Sequence, residues 1–436
     1  MRMRESLSAA EAAQRLGVSR QTLYAYVSRG LLHAQPGPDS RASRYLAEEV
    51  EQLAGQRRRG RKPREVAKAT LNWGLPVLES AITLIADGNL YYRGRSVPAL
   101  ARTETVETVA ALLWQCPRGD AFGPRAPEVP AVFAGLQSDY AGRRCEEILL
   151  PLFSAAADDY ATAPWQRTPA RLAAGCGALV RVLAACLLGT APSAEPLHLQ
   201  CARVWRLGAA GADLIRRVLI LCADHELNAS SFTARCVAST GASLRAALIA
   251  GLAALSGGRH GGITARVEAL WDEIGAQTGG NFNAGVGAAV HAAATATARP
   301  APDPADHADV SPQAAFVVEA ALRQRLARGE DLPGFGHYLY PQGDVRAAEM
   351  LACIPDAALP WRALAEACTD LVGQGPTLDF GLVAVRRYLQ LPAGAAFGLF
   401  ALGRSLGWIA HALEQRASDT LIRPRAAYVG PRPGEV

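Results

Sequence analysis

Four short segments in the second half of the chain each set an acid–base residue among glycines or small polar residues. They are Cys222-Ala-Asp-His225-Glu-Leu-Asn228-Ala-Ser230, Ser256-Gly-Gly-Arg-His260-Gly-Gly262, Leu332-Pro-Gly-Phe-Gly-His337 and Leu378-Asp379-Phe380. The chain has eight histidines, and three of them fall here. Several neutral imidazole donors beside one carboxylate suit chemistry at carbonyl carbons. One group takes a C–H proton while others hold the oxyanion that develops. A metal reading fails on spacing. His225-Glu226 begins like the zinc motif His-Glu-x-x-His, but position 229 is Ala. The stretch Thr278 to Gly287 follows no strand pattern, so it is not a dinucleotide fingerprint.

These segments need elements to hold them, and the periodicity supplies helices. From about Leu71 onward the sequence is rich in alanine and leucine, punctuated by Gly and Pro. Leu244, Leu248, Leu252 and Leu255 share one helical face, as do Val267, Leu270, Trp271 and Ile274. His260 then falls in a glycine loop between two helices, where backbone can approach a ligand closely. Val-rich alternating runs are nearly absent. A short hairpin is expected around Leu84 to Arg93, and a surface loop over Ala298 to Asp309. No apolar run approaches the roughly 20 residues that span a bilayer. The first residues, Met-Arg-Met-Arg-Glu, carry no signal-like apolar stretch. A cytoplasmic protein without a membrane partner is the expectation.

At 436 residues the chain is long enough for two or three domains. Its nine cysteines include no Cys-x-x-Cys pair, which argues against a zinc site or a disulfide framework and for buried thiols. Only two lysines occur, Lys62 and Lys68, so the C-terminal part has no catalytic lysine. The net charge of +5 is unevenly placed. Residues 1–66 carry a net +6 and the remainder a net −1. Basicity confined to one small module is the pattern of a polyanion-binding appendage.

That module reads as compact and helical. Ser8 and Glu11 have capping-box spacing. The helix they start runs through Ala13 and Leu16 to a turn at Gly17. A second helix, Arg20 to Ser28, puts Leu23 and Val27 on one face. A polar wing, Gln35 to Arg44, and a closing helix, Ala47 to Leu53, follow. Gln56-Arg-Arg-Arg-Gly-Arg-Lys-Pro-Arg64 reads as a basic linker.

Leu7 to Tyr24 resembles the winged helix-turn-helix of MerR-type and excisionase-type proteins. The resemblance implies that Arg20, Gln21 and Tyr24 face the major groove of DNA and that Arg41 and Arg44 reach phosphates. Taken together and in order, the four segments resemble the citrate synthase family. Leu90-Tyr-Tyr-Arg-Gly94, Asp344-Val-Arg346, Gly403-Arg404-Ser-Leu-Gly-Trp-Ile-Ala-His411 and Ile422-Arg423-Pro-Arg-Ala-Ala-Tyr-Val-Gly430 support it. The resemblance covers about residues 70–434.

It implies a mainly α fold: large and small helical domains preceded by a small winged helix-turn-helix domain. The implied boundaries are 1–56 for the helix-turn-helix, 57–68 for the linker, 69–255 and 384–436 for the large domain, and 256–383 for the small one. It further implies a homodimer that condenses acetyl-CoA with oxaloacetate to citrate, with no cofactor and no metal. Asp379 would be the base, His260 the donor to the thioester oxygen and His337 the group that polarises the ketone. His225, Arg346, Arg404, Arg423 and Asn228 would bind oxaloacetate, Arg423 in the neighbouring subunit's site. Two other readings stay open: a 2-methylcitrate synthase using propionyl-CoA, and a DNA-bound regulator with a metabolite-sensing body. The sequence departs from the family after the third histidine. Many members carry basic residues there for CoA phosphates, whereas this chain has Tyr338 and Pro341. Cys222 stands where some members have histidine, and Gly262-Ile-Thr lacks an asparagine often found there.

Overall fold

The computed structural model describes residues 6–16, 23, 27, 32, 34–36, 43–47, 49–51, 78–156, 160–277, 312–355, 361–426 and 428–430. They fall into two units, Met1–Glu79 with Pro424–Val436, and Ser80–Arg423.

In the N-terminal unit, strand β1 (Ser6–Ser8) leads directly into helix α1 (Ala9–Leu16). The junction is the expected capping box. The Ser8 N–H and hydroxyl both donate to Glu11 Oε2 at 2.8 Å, and the Glu11 N–H donates to Ser8 Oγ at 3.3 Å. Strands β2 (Ala34–Pro36) and β3 (Ser43–Leu46) complete an antiparallel sheet of order β1-β3-β2, with Gln35 opposite Arg44. The wing is thus a strand pair. Leu7, Ala12, Ala13, Leu16, Leu23, Leu32, Tyr45 and Val50 form its core, and Val27 packs against it. Leu23 and Val27 are both helical and do share a face. Arg20, Gln21, Tyr24 and Arg41 lie outside the described residues, as does the loop expected over Ala298 to Asp309. Arg44 lies on β3, half-buried.

The larger unit opens with the expected hairpin. Strands β4 (Thr83–Ala86) and β5 (Asn89–Tyr92) pair around Asp87 and Gly88, both at positive φ, as a two-residue turn between twisted strands requires. A short β6 (Arg95–Ser96) adds a third strand that the sequence had not suggested. Everything after it is helix and connecting turn. The helices that hold the site are α2 (Pro169–Leu188), α3 (Ala209–Cys222), α4 (Ala229–Ser239), α5 (Leu244–Leu255), α6 (Ile263–Gln277), α7 (Val345–Leu351), α8 (Leu378–Tyr388) and α9 (Ala395–Ser418). The leucine face of α5 and the Val267, Leu270, Trp271, Ile274 face of α6 are buried as their spacing predicts.

Two of these helices overturn the expectation that no segment is long and apolar enough to cross a membrane. Both α2 and α9 meet the criteria of length and hydropathy. Their burial gives the reason: 72% and 94% of their apolar windows lie inside the protein, so each is a core helix whose apolar surface faces other helices. Helix α9 is the central one. It packs on α3, α4 and α5, and Gly407 lets it approach the end of α3. A Cβ there would sit 2.3 Å from the Ala223 carbonyl, to which the Gly407 N–H in fact donates at 2.9 Å.

Candidate active site

His225 sits in the turn after α3. That turn is pinned from three sides. The Asp224 N–H donates to the Tyr92 hydroxyl at 3.0 Å, Thr83 Oγ1 donates to Asp224 Oδ2 at 2.5 Å, and His411 Nε2 lies 3.2 Å from the same carboxylate. The hairpin and α9 therefore position the histidine. Burial alone would raise the Asp224 pKa, yet His411, Arg404 and the Thr83 hydroxyl hold it below the usual range. Asn228 closes the turn. Its Oδ1 accepts from the Ser230 and Ser231 N–H groups, and its Nδ2 donates to the carbonyls of His225 and Glu226. The amide is thus committed to capping α4 and shaping the loop, which is a different role from the substrate contact the sequence suggested.

His260 lies in the turn between α5 and α6, and its Nε2 is 2.7 Å from Ser230 Oγ. Ser230 has a single hydroxyl proton. Trp408 Nε1–H donates into its oxygen at 3.0 Å, and Asn228 Oδ1 competes for the proton at 2.7 Å. When Ser230 donates to His260 Nε2, the neutral ring carries its proton on Nδ1 and is a donor there. Burial, then Arg404, pushes the His260 pKa down to about 3. The ring is neutral at physiological pH.

His337 ends the Gly334-Phe335-Gly336 turn. Gly336 has φ of +81°, a region that favours glycine, and a Cβ there would overlap the Gln374 amide. The turn is laced to the segment before Asp379. The Gly336 N–H donates to Gly375 O at 3.0 Å and the Thr377 N–H to Gly334 O at 2.8 Å. Leu339 N–H donates to His337 Nδ1 at 3.3 Å, so a neutral ring presents Nε2–H. Burial, followed by Arg346, pushes its pKa down to about 4. His225 is lowered well below its ordinary value by burial first and then by both arginines. All three rings are therefore neutral donors rather than cations.

Asp379 opens α8. Its Oδ1 is buried with no hydrogen-bond partner among the described residues. Burial pushes the carboxyl up to about 7; Arg346 works against that rise and Asp344 reinforces it. Arg346 is held by a fork to Asp344, Nε to Oδ1 at 2.9 Å and Nη2 to Oδ2 at 2.7 Å. Asp344 Oδ2 also accepts from the Leu378 N–H at 3.0 Å, which ties α7 to the start of α8 beside the carboxylate. Arg404, on α9, donates through Nε to Cys222 O at 2.8 Å, and its buried Nη2 has no partner.

The structure brings His225, His337 and Arg346 together around Tyr340. His225 and His337 stand edge to face at 5.1 Å, Tyr340 Oη is 2.9 Å from His225 Nε2, and the Arg346 guanidinium lies over the Tyr340 ring at 5.4 Å. Phe400 joins the other side, with His260 on its edge at 5.8 Å and Arg404 over its face at 5.0 Å. Arg423 is exposed in the segment after α9 and takes part in none of these contacts. Ser230, Trp408 and Tyr340 were missed by sequence reasoning. Ser230 and Tyr340 lay inside or beside quoted segments, but a hydroxyl's role is invisible until its partners are placed. The nine cysteines are free and mostly buried, with the Cys222 thiol pushed up to about 12 by burial. Among the described residues no group of three or more His, Cys, Asp or Glu side chains is placed to hold a metal ion.

A mainly helical body thus encloses a pocket of neutral imidazoles, one carboxylate of raised pKa and two buried arginines. The chain belongs to the citrate synthase family: a family model for the citrate synthase C-terminal domain matches residues 70–425, and one for a helix-turn-helix domain matches residues 6–58. A protein of Mycobacterium tuberculosis described as putative citrate synthase 2 is 32% identical over 225 residues, which is 49% of this chain and 50% of that protein. The chain spans about half the length of the curated relatives it matches. A 2-methylcitrate synthase of the same species is 33% identical over 118 residues, 25% of this chain and 30% of that one. Among solved structures, a ternary complex of carboxymethyl coenzyme A and oxaloacetate with citrate synthase from Thermoplasma acidophilum aligns with a TM-score of 0.60. It is 21% identical, with 84% of this chain and 97% of that chain covered, a likeness of fold.

Proposed function

We propose that the protein condenses acetyl-CoA with oxaloacetate and water to give citrate and CoA. The observation that carries this reading is Asp379, a carboxylate of raised pKa with a bare Oδ1, set among neutral imidazole donors and two buried arginines. The reference Asp carboxylate is a weak base, and burial brings it close to neutrality. Asp379 takes a methyl proton while His260 Nδ1–H holds the thioester oxygen. The enol carbon then attacks the ketone carbon of oxaloacetate, whose oxygen takes a proton from His337 Nε2. Arg346 and Arg404, with His225, hold the two carboxylates. Water finally cleaves the citryl thioester. We further propose a cytoplasmic homodimer in which Arg423 completes a partner subunit's site.

A thiol-release assay tests this. CoA release from acetyl-CoA is expected to depend on oxaloacetate and to exceed that from propionyl-CoA. No oxaloacetate-dependent release from either donor would sink the reading. The likeness to a 2-methylcitrate synthase supports a second one, and a preference for propionyl-CoA would select it. One methylene is worth only about 1–3 kcal/mol, so the two donors need direct comparison.

The helix-turn-helix match and the basic N-terminal module support DNA binding as a second activity of the chain. The expected result is a gel shift that weakens steeply with salt and is lost in Arg20→Ala. A shift insensitive to both would overturn it.

A further inference from the structure

We propose that Arg259 supplies the cationic contact for the phosphates of the acyl-CoA donor, displaced from the loop after His337 to the loop before His260. The assignment rests on the acyl-CoA reading above. It begins with a deficit. From Tyr338 to Gly343 the loop after His337 holds no basic residue, and Arg346 beyond it is buried and forked to Asp344. That side of the site is also acidic. The exposed Glu226 interacts with Tyr338 closely enough to raise the phenol's pKa, after burial, and its charge repels a phosphate.

The opposite loop supplies what is missing. Arg259 is exposed, and its guanidinium takes part in no hydrogen bond or ion pair among the described residues. The neighbouring arginines are committed. Arg266 pairs with Asp331, Arg325 and Arg328 with Glu273, and Arg387 with Glu268 and Asp272. Arg404 has a spare Nη2, but it is buried and faces the pocket of the small substrate.

Position fits as well as charge. Ser256, Gly257, Gly258 and Arg259 form an exposed ledge, and a Cβ built on Gly258 would meet nothing within 4 Å. The next residue is His260, the donor to the thioester oxygen, with its Cα about 3.8 Å further along the chain. The histidine side chain turns inward to Ser230 while the arginine lies at the surface. A thioester held by the first leaves its pantetheine arm and phosphates beside the second. A planar guanidinium binds phosphate oxygens through paired, charge-assisted hydrogen bonds.

The test compares two donors on the full chain, acetyl-CoA and acetyl-pantetheine, which lacks the phosphates. Arg259→Gln is expected to raise KM for acetyl-CoA about tenfold or more, to change KM for acetyl-pantetheine less than about twofold, and to leave KM for oxaloacetate unchanged. Arg259→Lys should restore part of the loss. An equal loss on both donors would mean that residue 259 acts through His260, and no loss on either would mean that the phosphates lie elsewhere. Both results overturn the assignment while the condensation itself stands. A wild-type chain that releases no CoA from acetyl-CoA removes the functional reading and this assignment with it.

Discussion

Asp379→Asn is expected to lower kcat on the order of 10³-fold while making the folded protein more stable at pH 8. The two effects share one cause. Burial lifts the Asp379 pKa from 3.8 to about 7. The unfolded chain releases that proton near pH 4, whereas the folded chain holds it to about pH 7. This group's contribution to stability is therefore complete below about pH 4 and is lost as pH rises through 7, with an upper bound of about 4 kcal/mol. Asparagine has the same shape and no charge to bury. The stability difference between variant and wild type should widen by about 2–3 kcal/mol between pH 5 and pH 8, as read from denaturant titrations. A constant difference would mean that the carboxylate is not raised. The wild-type rate should climb through pH 7 and then level, because His260 and His337 are already neutral over that range.

The second pair of variants separates folding from binding. Arg346→Leu leaves the Asp344 carboxylate, whose side chain is 1% exposed, without its guanidinium. Removing one partner of a buried pair costs about 3–5 kcal/mol, a fall in Tm on the order of 5 °C or more. Arg404→Leu removes a buried cation with one carbonyl contact and an Nη2 that nothing satisfies. Its Tm should move little. Its KM for oxaloacetate should rise on the order of 100-fold, the loss of about 3 kcal/mol from a charged hydrogen bond. If both variants lose stability equally, Arg404 is a structural residue and the open Nη2 is not waiting for an anion.

The catalytic trio was legible because glycine-rich settings and histidine scarcity make those residues stand out in an alanine-rich background. The capping box at Ser8 and Glu11 and the leucine face of α5 were legible because both depend on spacing alone. Third strand β6 is only two residues long and leaves no periodic trace. Apolar length misled for α2 and α9, since a fully buried helix and a membrane helix bury the same side chains. Asn228 looked like a ligand group because sequence does not tell an amide that caps a helix from one that faces a pocket. The hydroxyl of Ser230 carries meaning only through Trp408, 178 residues away in the chain.

The lacing of the two loops also fixes what can move. Two main-chain hydrogen bonds join Gly334 and Gly336 to Gly375 and Thr377, and the Asp344 carboxylate clips Arg346 and Leu378. The proton acceptor Asp379 and the proton donor His337 thus ride on one stiff plate, while His260 is fastened to Ser230 and Trp408 on α4 and α9. Motion that admits substrate between them changes the gap to His260 and leaves the spacing within the plate alone. Carbon–carbon bond formation then waits on a single coordinate, the approach of the thioester's holder to a preset pair.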